Sequence, residues 1–119
     1  MFDKFFPDRY VASTYVIDFE GLYKEGVRGL IFDIDNTLVP HGAPADERAR
    51  ALFKRLKSIG FRCCLISNNQ KPRVEMFNKD IQVDYVYNAH KPSIRNYLKA
   101  MEIMGTDRDS TVFIGDQLF

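Results

Sequence analysis

Two carboxylates, Asp33 and Asp35, close the apolar run of GLIFDIDNTLV, residues 29–39. Like charges that close together repel, and a divalent cation is a natural relief. A carboxylate, a main-chain carbonyl two residues on, a further carboxylate and waters make an oxygen shell that suits Mg²⁺. Beside such a cation, Asp33 has the chemistry to attack a phosphoryl phosphorus and form an aspartyl-phosphate. Asp35 has the chemistry to protonate the leaving oxygen and later to take a proton from water. The plainer reading is that Asp33, Asp35 and Thr37 are turn residues, as Asp and Thr often are.

Three further stretches put polar groups after apolar runs. Ser67 follows CCLI, and its hydroxyl serves either as a phosphate contact or as an N-cap for the next helix. Asn68 and Asn69 behind it either donate to phosphate or form the turn. Lys91 precedes Pro92 and is either a solvated lysine or a counter-charge for phosphoryl oxygens. Asp116 ends FIGD and is either a loop carboxylate or a third metal ligand. His41, beside Gly42, reads as a solvated loop residue, and His41 and His90 lack zinc-site spacing.

The elements that must position these residues are legible as alternating patterns. Residues 28–34, 61–67, 83–88 and 110–116 are short apolar runs, read as strands. Between them, ERARALFKRLKSIG carries Ala49, Leu52, Phe53, Leu56 and Ile59 on one helical face, with Gly60 as C-cap. A shorter helix opens at Pro72 with Val74, Phe77 and Ile81 inward. A third helix runs to Gly105 with an expected apolar face of Ile94, Leu98, Met101 and Met104. Alternating strands and helices argue for a parallel sheet with helices on both faces, where ligands bind beyond the carboxyl ends of the strands. All the candidate reactive groups lie at those ends.

Taken together, DIDNTL, LISNN, HKPS and FIGD resemble, in order, the four motifs of the haloacid dehalogenase (HAD) superfamily. The resemblance implies a three-layer α/β/α Rossmann-like core with Asp33 as nucleophile and Asp35 as general acid/base. It makes Thr37, Ser67, Asn68 and Lys91 phosphate-binding, and Asp33, Asp35 and Asp116 the ligands of Mg²⁺. The second aspartate favours phosphoryl chemistry over dehalogenation, because an alkoxide needs a proton on leaving and a halide does not. KFFPDRYVASTYVID, GLIFDIDNTLVPH, SNNQ and FIGDQLF narrow the resemblance to the YqeG-type branch of subfamily IIIA, which includes relatives acting on phosphatidylglycerophosphate. That implies a phosphate-ester substrate, with a phospholipid head group as the best guess. Residues 38–46 and 79–88 leave no room for a cap domain, so the expected site is open.

The totals fit this reading. The chain has 119 residues, is 45% hydrophobic and 28% charged, and reads as one domain: an aromatic lead-in over 1–27 and a catalytic core over 28–119. A formal net charge of +1 gives no support for a nucleic-acid partner. Cys63 and Cys64 are adjacent and read as buried strand residues in a reducing, cytoplasmic setting. No run reaches the roughly 20 apolar residues of a spanning helix. Phe2, Phe5, Phe6, Tyr10, Tyr15, Phe19 and Tyr23 either pack on the core or, with Lys4 and Arg9, form a peripheral membrane patch. The family continues past Phe119 with another acidic residue, strand and helix, so the chain reads as truncated. An edge left uncovered by that truncation invites self-association into a homo-oligomer. Two alternatives are a receiver-like signalling domain and a catalytically dead phosphate-binding module.

Overall fold

A computed structural model describes residues 14–35, 37–67, 70–87 and 94–115. Asn68, Asn69, His90, Lys91, Asp116 and the aromatic residues before Thr14 lie outside the described residues.

The apolar runs form four parallel strands: β1 (Gly29–Asp33), β2 (Arg62–Ile66), β3 (Asp84–Val86) and β4 (Thr111–Ile114). Their order across the sheet is β3-β2-β1-β4. The strand richest in candidate chemistry is therefore central, flanked by β2 and β4. Leu30 to Phe32 are buried from both sides, which explains why β1 reads as a continuous apolar run.

Side chains alternate across the sheet. Leu30, Phe32, Cys63, Leu65, Val112 and Ile114 face one layer of helices, α1 (Phe19–Lys24), α2 (Glu47–Ile59) and α3 (Lys71–Asn78). Ile31, Cys64, Ile66 and Phe113 face the other layer, α4 (Ile94–Met104). The result is the expected α/β/α arrangement, and the described residues between β1 and α2 form no cap. The helix boundaries follow local chemistry. The Asp46 carboxylate accepts from Ala49 N–H at 2.8 Å and starts α2. Gly60, at φ 121°, ends it.

Two details depart from the sequence reading. The lead-in holds a helix, α1, preceded by a 3₁₀ turn at Thr14–Val16. Phe19 is buried, and Tyr15 and Tyr23 pack against the core, so these three aromatics follow the core-packing reading. In α4, the buried stripe is Tyr97, Ala100, Met101 and Met104, spaced i, i+3, i+4, i+7. Ile94 and Leu98 are each half exposed. The Tyr97 ring sets this rotation by stacking edge-on against Phe113, with centroids 5.1 Å apart. Among the described residues no helix is long and apolar enough to cross a membrane.

Candidate active site

The parallel register fixes which chain ends meet. Asp33 lies opposite Ile66, so Ser67 emerges one residue beyond on the neighbouring strand. Phe32 lies opposite Ile114, so Gly115 emerges beside Asp33 on the other flank. A Cβ placed on Gly115 would sit 3.4 Å from the Asp33 Cβ and 2.6 Å from the Phe113 ring. Glycine there lets the end of β4 pass close to Asp33. Ser67 is buried, and its N–H donates to the Val86 carbonyl at 3.1 Å, tying β3 to the same edge.

After Asp33 the chain turns sharply. The Ile34 carbonyl accepts from Thr37 N–H at 3.3 Å and Leu38 N–H at 3.0 Å. This wraps the backbone around Ile34, which is fully buried, and holds Asp35 at the rim of the sheet. The lead-in braces the turn from outside: Thr14 Oγ1 donates to the Thr37 carbonyl at 3.2 Å, and Tyr15 Oη to the Leu38 carbonyl at 2.8 Å. The Arg48 guanidinium lies over the Tyr15 ring, 3.9 Å from its centroid. The Thr37 hydroxyl is buried at this turn with no hydrogen-bond partner among the described residues.

Asp35 has the best-defined surroundings. Its Oδ1 accepts from Gly42 N–H and from Arg73 Nη2, each at 2.8 Å. His41 Nδ1 lies 3.9 Å from the same oxygen. Burial pushes the Asp35 carboxyl up, but the Arg73 hydrogen bond, the Gly42 N–H and the charges of Arg73 and His41 outweigh it. The net effect holds it below the ordinary carboxylate value. Part of the counter-charge that the sequence reading gives to a metal is thus supplied by an arginine.

The structure brings Asp33, Asp35, Thr37 and Ser67 to one edge. Sequence reasoning missed Arg73, Gly42, Thr14 and Tyr15. Arg73 did leave a signal. The first turn of α3 has no acidic residue and carries Lys71 and Arg73, although a helix N-terminus disfavours cations. Among the described residues no three His, Cys, Asp or Glu side chains converge as a metal site. The donors present are nevertheless hard oxygens of the kind Mg²⁺ takes: the Asp33 carboxylate at the strand end and main-chain carbonyls of the turn.

A family model described as haloacid dehalogenase-like hydrolase matches residues 41–119. The chain belongs to the haloacid dehalogenase-like hydrolases. That match begins after DIDNT, so the first motif adds to it independently. The HAD chain is also 36% identical over 120 residues to "Probable phosphatase YqeG" of Bacillus subtilis (strain 168), covering 99% of this chain and 70% of that relative. A crystal structure of a hypothetical protein from Xanthomonas campestris superposes with a TM-score of 0.66 at 20% identity, over 92% of this chain and 65% of that one. That likeness shows the fold alone. The HAD chain thus spans about two thirds of the length of these two proteins. Membership in a hydrolase family sets aside the receiver-like alternative.

Proposed function

We propose that this HAD chain is a Mg²⁺-dependent phosphomonoester hydrolase working through an aspartyl-phosphate on Asp33. The observation that carries the proposal is the meeting of Asp33, Asp35 and Ser67 at the carboxyl edge of one parallel sheet, with Gly115 passing beside Asp33.

An Asp33 carboxylate oxygen attacks the phosphorus as the ester oxygen departs. Asp35 gives that oxygen its proton, leaving an alcohol and the phospho-enzyme. Water then attacks the phosphorus, Asp35 takes the water proton, and the P–O bond to Asp33 breaks to release inorganic phosphate. The Asp35 carboxylate held by Arg73 and Gly42 is the form the second step needs. For the first step it must bind a proton, so the Arg73 contact has to loosen as substrate docks.

Ser67, Thr37, Asn68 and Lys91 are assigned to the phosphoryl oxygens. Asp33, Asp35 and Asp116 are assigned to Mg²⁺, with Asp35 contributing its main-chain carbonyl because its Oδ1 is taken by N–H donors. Bound there, Mg²⁺ would offset the negative charge of the carboxylates and phosphoryl oxygens.

The substrate class we infer is a phosphate ester too large for an enclosed pocket, with a phospholipid head group first among candidates. The short segments where a cap would be inserted support this, as does the YqeG-type resemblance. Peripheral membrane contact through the lead-in belongs to the same proposal. The test is a panel of phosphate esters, including an aryl phosphate and micellar phosphatidylglycerophosphate, assayed with Mg²⁺ and with EDTA. Hydrolysis that needs Mg²⁺ and is lost in Asp33→Asn supports the proposal. Equal rates with EDTA, or full activity in Asp33→Asn, would overturn it.

A further inference from the structure

Arg73 uses little of its hydrogen-bonding capacity. Nη2 donates to Asp35 Oδ1, yet Nε and Nη1 are buried with no hydrogen-bond partner among the described residues. An unsatisfied buried donor is costly, and folded proteins rarely leave such groups alone. The cost is compounded by placing the cation on the first turn of α3, against the helix dipole. The side chain is only 12% exposed, so solvent does little to relieve it. The pair with Asp35 uses Nη2 alone and leaves the other two nitrogens unsatisfied. The arrangement suits a group that is completed by something else.

We infer that Arg73 is a substrate-binding residue, an anion receptor whose guanidinium edge left open by Asp35, Nη2–H with Nε–H or with Nη1–H, donates to two oxygens of the substrate's phosphoryl group. This rests on the reading that a phosphate ester docks at Asp33. A guanidinium is planar, and Nη2 shares one edge with Nε and the other with Nη1. Asp35 Oδ1 takes one of the two Nη2 hydrogens, so the other Nη2–H and the donor beside it remain as a fork. Paired donors on one plane match the spacing of phosphate oxygens, which a lysine ammonium cannot reproduce. The incoming anion and Asp35 then compete for one cation. Gly42 N–H keeps its own bond to Asp35 Oδ1, so the carboxylate stays at the edge when Arg73 turns to the phosphoryl group.

Isothermal titration with inorganic phosphate in the presence of Mg²⁺ tests this on the full chain. The proteins compared are wild type, Ser67→Ala, Arg73→Met, Arg73→Lys, Asp35→Asn and the double variant Asp35→Asn/Arg73→Met. Loss of a charge-assisted hydrogen bond predicts phosphate affinity weakened about tenfold or more in Arg73→Met. It predicts partial weakening in Arg73→Lys, and the same tenfold loss when Arg73→Met is made in the Asp35→Asn background. Affinity unchanged by Arg73→Met overturns the inference. So does a loss confined to the Asp35-containing background, because Arg73 would then act only by positioning Asp35. Phosphate binding that is insensitive to Ser67→Ala as well, or absent in wild type, takes down the phosphate-edge reading itself. Thermal melts identify any variant that fails to fold. If Arg73→Met does, Arg73→Lys decides: weaker binding supports the inference and wild-type affinity ends it.

Discussion

Arg73 Nη2 and Asp35 Oδ1 are joined at 2.8 Å between side chains that are 12% and 14% exposed. Both charges are largely withdrawn from water, so breaking the pair is costly. Arg73→Met strands a buried carboxylate and is expected to lose about 3 kcal/mol near neutral pH. The Asp35 carboxyl sits below its ordinary value in the folded chain. Its stabilising contribution is therefore complete above the ordinary carboxylate range, near pH ~4, and is lost as pH falls through the lower folded value. Denaturant unfolding of the metal-free wild type and variant should show a stability gap that narrows steadily below that range. A gap independent of pH would mean that Asp35 does not draw its stabilisation from Arg73.

The brace from the lead-in can be cut one atom at a time. Tyr15→Phe removes the hydroxyl that donates to the Leu38 carbonyl and leaves the ring under Arg48. It should cost about 1 kcal/mol and lower turnover severalfold, because Asp35 and Thr37 ride on the turn it holds. Wild-type turnover in Tyr15→Phe would show that the turn keeps its shape without the brace.

Gly115→Ala is a steric test of the strand end. The new Cβ would meet Phe113 Cζ at 2.6 Å and Cε2 at 2.8 Å, and the Phe113 ring is itself pinned against Tyr97. Overpacking of this kind typically costs about 1–3 kcal/mol. Because Asp33 Cβ is next in line, turnover should fall further than stability does. A melting temperature and rate equal to wild type would place the two strand ends farther apart than described.

Burial pushes the Cys63 and Cys64 thiols up to about 12. Buried, protonated thiols are inert. A thiol reagent at mildly alkaline pH should react with the folded chain only as fast as it opens. The rate should rise with denaturant in step with unfolding. Immediate reaction of either thiol in the native protein would contradict the packing of β2.

How much of this was legible follows from the range of the interactions. β1 and β2 announce themselves because each is an unbroken apolar run closed by a polar residue. Gly60 marks the end of α2 through local backbone geometry alone. The α4 face was misread because Ile94 and Leu98 fit a helical stripe as well as Tyr97 and Ala100 do. The choice was made by the Phe113 ring on a distant strand. The pairing of Arg73 was hidden for the same reason, although its place in the first turn of α3 is a signal. Arg73 is 38 residues from Asp35, and nothing near it in sequence names a partner. The brace by Thr14 and Tyr15 reaches 23 residues and reads, from sequence, as ordinary aromatic packing.

The central claim is that Asp33 carries the phosphoryl group. Turnover of an aryl phosphate with Mg²⁺ can be quenched in acid, reduced with borohydride and digested for mass spectrometry. Reduction of an aspartyl-phosphate leaves homoserine. The account predicts homoserine at position 33, dependent on substrate and Mg²⁺ and absent in an inactive Asp33→Asn variant. Unmodified Asp33 in an actively turning-over sample, together with undiminished hydrolysis by Asp33→Asn, would contradict it.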